Sequence, residues 1–185
     1  MKNLAVFVSG KSTLLAAMIA DELAISLVLA DRECLGIAIA ETAGIPTELV
    51  PRTFKSGFDR RLYTLDVLNI LRRREIAFVA MAGFMTVLGP VIFSEGYRGR
   101  ILNSHPSLLP AFKGEKAVKD ALEFGVKVTG TTIHVATERL DEGPILAQEA
   151  VRVLSGDTVD TLWERIKVVE RALYPPTIRE FANTI

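Results

Sequence analysis

LAVFVSGKSTLLAAM, residues 4–18, decides the fold. Its first five residues are an unbroken apolar run, its next three include a Gly turn, and Ser12 onward follows a helical pattern. An apolar run without polar alternation suits a strand covered on both faces, as in a parallel sheet. The same rhythm recurs downstream: ISLVLA at 25–30, TELV at 47–50, IAFVAMA at 76–82 and RILN at 100–103 read as strands. Helices are predicted over 12–23, 33–43 and 58–74, the last burying Phe58, Leu62, Leu65, Leu68 and Leu71. Strand, helix, strand repeated in this way predicts βαβ units.

After residue 126 the pattern changes. VKVTGTTIHVA and PILAQEAVRVL are longer runs separated by TERLDEG, whose Asp and Gly suit a tight connection, so an antiparallel pair is predicted. A last helix is predicted from near Asp157, with Asp160 in its first turn, and Pro175 and Pro176 are predicted to stop or sharply kink it. The chain shows no internal repeat, low-complexity tract or linker that would divide it. The expected fold is α/β, an open, mostly parallel Rossmann-like sheet with an antiparallel edge pair and helices on both faces, in one domain over 1–185. Ligands are expected at the carboxyl ends of its strands.

Composition narrows the function. Lys plus Arg and Asp plus Glu both count 22, so the net charge is zero and no electrostatic grip on nucleic acid or anionic lipid is expected. The chain is 49% hydrophobic, yet its charges interrupt every run well before the ~18 apolar residues of a membrane span. The apolar run at 4–8 is shorter than the ~7 residues of a signal-peptide core, so a first strand and a cytoplasmic location are expected. Cys34 is the one cysteine, which excludes an intrachain disulfide and a cysteine zinc cluster, and it reads as a small helix-packing residue.

Four segments could carry chemistry. At Gly10, Lys11, Ser12 and Thr13 a strand turns into a helix whose amides and dipole would accept a phosphate, although a plain strand-to-helix turn accounts for the same residues. A Walker A loop is excluded because Ala5 stands where its first Gly belongs, and the dinucleotide GxGxxG pattern fails at Ser12. RILNSHPSLLPAFKG, residues 100–114, exposes Asn103, Ser104 and His105 just beyond a strand. His is an acid or base near neutral pH and Asn can bond an oxyanion, whereas an isolated loop His packed on prolines would be structural. The loop of HVATERLDEGPI, residues 134–145, presents Asp141 and Glu142. An Asp within reach of His105 would fix its orientation, a surface turn being the plainer reading, and His134 reads as structural. MAGFMTVLGP, residues 81–90, offers an apolar wall for a flat ring or ordinary core packing.

In this order, NSHPSLLP at 103–110, GTTIH before LDEGPI at 140–145, AGFM at 82–85 and ERALYP at 170–175 resemble the folate-dependent phosphoribosylglycinamide formyltransferases of purine biosynthesis over nearly the whole chain. The resemblance implies transfer of a formyl group from 10-formyltetrahydrofolate to the amine of glycinamide ribonucleotide, without a metal. It places Asn103, His105 and Asp141 on catalytic positions and the phosphate on Gly10, Lys11, Ser12 and Thr13. Glu170 and Lys167 fall on the ribose and glycinamide end. Arg60, Met85, Thr86, Val87, Leu88, Ala136, Leu140, Asn103 and Asp141 fall on the folate site. The implied partners are these small molecules, with no nucleic acid or membrane, in a monomer or homodimer. The chain departs from the family pattern at Ser12 for a Gly, Leu14 for an Asn, Thr86 for an Arg, and lacks a His after the KG turn at 113–114. A deformylase-like hydrolase is the nearest alternative, disfavoured because no N-terminal regulatory domain is expected before Leu4. Methionyl-tRNA formyltransferase is disfavoured by neutral charge, and a ligand-binding relative with weakened catalysis is the reading from another class.

Overall fold

The computed structural model describes residues 2–53 and 57–185. Seven strands form one sheet in the order β3-β2-β1-β4-β5-β6-β7. The chain divides into two compact units, Met1–Ile101 and Leu102–Ile185.

In the first unit β1 (Leu4–Val8) pairs in parallel with β2 (Ile25–Ala30) and β4 (Phe78–Met81), and β2 pairs in parallel with β3 (Thr47–Leu49). All five β1 residues are buried, as an unbroken apolar run requires of a central strand. Helix α1 (Thr13–Ala20) buries Leu14, Leu15 and Met18, and α2 (Leu35–Thr42) follows Cys34, whose side chain makes no capping hydrogen bond. Helix α3 (Arg60–Arg73) starts where the Asp59 carboxylate accepts the Leu62 amide at 3.0 Å, leaving one first-turn donor fewer without a partner. Its buried stripe is Tyr63, Thr64, Val67, Leu68 and Leu71. Of the predicted stripe, Leu68 and Leu71 are buried and Phe58 and Leu65 half-buried, but Leu62 is 59% exposed, because a 3.6-residue period through Val67, Leu68 and Leu71 reaches Tyr63 and Thr64 one turn earlier.

The second unit holds β5 (Ile101–His105), whose register partners lie in the antiparallel β6 (Val128–Val135), and β7 (Ile145–Arg152), also antiparallel to β6. Val118 of α4 (Ala117–Phe124), Val151, Leu162 and Ile166 form a buried apolar cluster in it. Helix α5 (Val159–Ala182) opens with a capping box in which Thr158 and Thr161 each satisfy the other's backbone amide.

Contrary to the sequence reading, α5 runs on through Pro175 and Pro176. Each proline removes one donor and costs ~3 kcal/mol in a helix interior. Tyr174, Pro175, Ile178 and Phe181 are buried around the break, and each large apolar side chain removed from water returns ~1.5–3 kcal/mol. The Thr177 hydroxyl also donates to the Leu173 carbonyl at 2.8 Å, one turn back. Burial on one face therefore outweighs two missing ladder bonds.

Thr158→Ala removes the half of the α5 capping box in which the Thr158 hydroxyl accepts the Thr161 amide, and leaves the amide of residue 158 donating to the Thr161 hydroxyl. A loss of about 1 kcal/mol in urea unfolding is expected; an unchanged midpoint would mean that the cap contributes nothing.

Candidate active site

Strand β5 reaches His105, so Asn103, Ser104 and His105 lie in the strand rather than beyond it. The cause is pairing with β6, which sets Asn103 opposite His134, Ser104 opposite Ile133 and His105 opposite Thr132. Alternation along a strand puts Asn103 and His105 on one face and Ser104 on the other. Ser104 donates from its side to the Glu170 carboxylate of α5. Burial pushes the Glu170 carboxyl above its ordinary value, opposed by that hydrogen bond and by the charges of Arg171 and Lys167. Lys167 itself pairs with Glu164.

His105 is buried and meets an acceptor at each ring nitrogen. Nε2 is 2.8 Å from the Phe112 carbonyl oxygen, and Nδ1 is 3.4 Å from Oδ2 of Asp141. A neutral imidazole has one N–H, so only the doubly protonated ring supplies a donor to both. The segment from Pro106 to Phe112 is held by threonine and glutamine side chains of the neighbouring strands. The Thr132 hydroxyl donates to the Ser107 carbonyl at 2.6 Å and accepts from the Leu109 amide at 3.0 Å, while Gln148 Nε2 donates to the Leu109 carbonyl at 2.9 Å. Phe112, with φ of 51°, ends this segment in the left-handed region, which turns its carbonyl onto the ring.

Asp141 is buried and also left-handed, with φ of 55°. Asp tolerates that region better than most residues, and such strain persists only where the surroundings hold it. Here the Gly114 amide donates to Oδ2 at 2.8 Å, and the ion pair Lys113–Glu142, at 2.9 Å, joins the same two loops. Gly143 closes the Asp141 loop over β6: a Cβ there would lie 1.6 Å from the Val135 carbonyl oxygen, so no side chain fits.

His134, which the sequence reading treated as structural, touches both partners. Its Nδ1 lies 3.2 Å from the Val135 carbonyl oxygen, so the Nδ1–H donates there and Nε2 is left as an acceptor. The Asn103 amide nitrogen donates to that Nε2 at 3.2 Å, which fixes the amide and leaves its second N–H uncommitted. Oδ1 of Asp141 is 3.7 Å from the same nitrogen. Burial, aided by His105, holds His134 below its ordinary value despite the Val135 carbonyl and Asp141, so the ring is neutral and the Asp141 contact is not an ion pair. The only advance signal was its place opposite Asn103, which requires the strand register.

In the first unit, Gly10, Lys11 and Ser12 precede α1 and Thr13 opens it. Ser12 is left-handed with φ of 55°, and its hydroxyl donates inward to the Gly10 carbonyl at 3.1 Å. The first α1 ladder bond runs from the Ala16 amide to the Ser12 carbonyl, so the amides before it lack an acceptor within the helix. Along 85–88, Met85 and Val87 are 51% and 49% exposed, whereas Thr86 and Leu88 are buried. Arg60 begins α3 on the surface, Ala136 is half-buried and Leu140 exposed. Among the described residues no group of three or more His, Cys, Asp or Glu could hold a metal, and no helix is long and apolar enough to cross a membrane.

A family model described as formyl transferase matches residues 2–178. A phosphoribosylglycinamide formyltransferase of Mycobacterium tuberculosis is 44% identical over 153 residues, covering 83% of this chain and 70% of its own. Its Bacillus subtilis counterpart is 35% identical over 188 residues, covering 97% and 94%. The crystal structure of phosphoribosylglycinamide formyltransferase from Bacillus halodurans matches with a TM-score of 0.90 at 36% identity, covering 97% of this chain and 94% of that one.

The neutral state of His134 ties stability to pH. The folded ring resists protonation while the unfolded ring takes a proton near the ordinary 6.5, so stability falls as pH drops below that value and levels off below the folded one. His134→Gln should flatten this slope between pH 7 and 5 in urea titrations; an unaltered slope would show that His134 does not carry it.

Proposed function

The chain belongs to the formyl transferase family, and from that premise we propose that it transfers the formyl group of 10-formyltetrahydrofolate to the amine of glycinamide ribonucleotide. The observation that carries this reading is the convergence of Asn103, His105 and Asp141 in the second unit, with Asn103 oriented by a neutral His134. Relatives that share 35–44% of its residues bear the name of that activity. As one formyltransferase domain over 1–185, it works in the cytoplasm on small molecules without nucleic acid, membrane or metal, as a monomer or homodimer.

The substrate amine attacks the formyl carbon and the carbonyl becomes a tetrahedral oxyanion. The uncommitted Asn103 N–H donates to that oxygen, and an imidazolium N–H of His105 adds a charged donor once it leaves the Phe112 carbonyl. Asp141 balances the imidazolium charge at Nδ1 and takes up the proton released by the attacking amine. The bond from carbon to N10 then breaks, N10 takes the proton relayed from Asp141, and the products are formylglycinamide ribonucleotide and tetrahydrofolate.

The remaining roles follow the family likeness. The amides of Gly10, Lys11, Ser12 and Thr13 take the phosphate, with Lys11 adding charge and the Ser12 hydroxyl turned inward. Glu170 and Lys167 meet the ribose and glycinamide. The pterin lies on Met85 and Val87, with Thr86 and Leu88 contributing main chain because their side chains are buried. Ala136, Leu140, Asn103 and Asp141 complete the folate contacts, and Arg60 meets the folate tail.

In a formyl-transfer assay with both substrates, Asn103→Ala and His105→Ala should each lower kcat by about 10²–10³. Activity close to wild type in either variant would overturn the mechanism, and formate release in place of transfer would make the chain a hydrolase.

A further inference from the structure

Among the described residues of the first unit, Asp31 is the one carboxylate with no exposed surface, and the chemistry above does not use it. Arg32 grips it with two hydrogen bonds, Nε to Oδ1 at 2.8 Å and Nη2 to Oδ2 at 3.0 Å. A carboxylate taken from water costs several kcal/mol unless it is paired and bonded, so an ion pair alone is a weak reason to keep one there. A further group takes up one of its remaining lone pairs: the Thr86 hydroxyl donates to Oδ2 at 2.6 Å. The Ser9 hydroxyl, which favours the charged carboxylate, accepts the Met85 amide at 2.8 Å.

These residues sit just beyond the carboxyl ends of three neighbouring strands, Ser9 after β1, Asp31 after β2 and Met85 and Thr86 after β4. The anion therefore holds Thr86 directly, and Ser9, beside it, holds the neighbouring Met85 amide. At the other end, the Gly89 amide donates to the Thr64 hydroxyl at 2.8 Å, which in turn donates to the Arg60 carbonyl at 2.7 Å. With both ends tied and Thr86 and Leu88 drawn inward, Met85 and Val87 are left as exposed apolar side chains.

We propose that Asp31 is a positioning residue for the folate site, latching the 85–88 segment through Thr86 and through Ser9 to Met85. This rests on the reading of that segment as the pterin wall. Burial would raise the Asp31 carboxyl, but the bonds from Arg32, Thr86 and Ser9 outweigh it and hold the group below its ordinary value, so the latch stays charged at neutral pH. Tyr63, whose phenol is pushed up by burial and by the Asp31 charge, stays protonated in the same interior.

The test compares wild type with Thr86→Val, which keeps the shape and loses the donor, Thr86→Ser, which keeps the donor, and Asp31→Asn. Hydrogen exchange at the Met85 amide reads the latch without reference to catalysis, and the separate KM values read its consequence. Thr86→Val and Asp31→Asn should speed Met85 exchange and raise the folate KM about tenfold, with the ribonucleotide KM and kcat unaltered, and Thr86→Ser should restore wild-type values. Wild-type exchange at Met85 in both variants overturns the latch. Faster exchange with an unaltered folate KM overturns its link to folate, and if wild type also fails to bind a non-reactive folate in calorimetry, the pterin-wall reading falls with it.

Discussion

The buried carboxylate of Asp141 is the constraint on which the second unit is organised. It is held in a left-handed backbone by the Gly114 amide and faces Nδ1 of one histidine and Nε2 of the other. The Gly114 bond draws the end of the loop after β5 toward the loop between β6 and β7, and Gly143 lets the second loop lie flat on the Val135 carbonyl. The strain at Asp141 and at Phe112 is local, and the ladder of β5, β6 and β7 supplies the rigidity that sustains it.

Two histidines close to one carboxylate could both be charged, but their other neighbours separate them. His134 has a carbonyl at Nδ1 and an amide donor at Nε2, which a neutral ring satisfies completely, and burial favours that state. His105 has acceptors at both nitrogens, which only the imidazolium satisfies. One ring thus orients Asn103 while the other faces an acceptor at each nitrogen. The division of labour comes from hydrogen-bond inventory rather than from residue type.

Much of this architecture was legible in the chain. Unbroken apolar runs located β1 and β2 to the residue, and the change of pattern after 126 located the antiparallel pair. Asn103 and His105 stood out because polar residues follow an apolar strand, whereas Asp141 lies in a loop that could have faced water. What stayed hidden depended on register and tertiary burial. Pairing with β6 drew the Asn-Ser-His triplet into β5 and split it between two faces, and only that register brings His134 to Asn103. Main-chain acceptors such as the Phe112 carbonyl leave no mark in side-chain patterns, and the burial of Tyr174, Ile178 and Phe181 carried α5 past prolines that local propensity says should end it.

The central claim is that Asp141, besides its folate contact, acts on the chemical step, by holding His105 and by taking up the proton of the attacking amine. Single-turnover formyl transfer by Asp141→Asn, with calorimetric affinities for the ribonucleotide and a non-reactive folate measured on the same protein, tests it most directly. The account predicts a chemical step slowed by about 10²–10³ with the ribonucleotide affinity retained. A step at the wild-type rate, or a loss confined to the affinities, would contradict it.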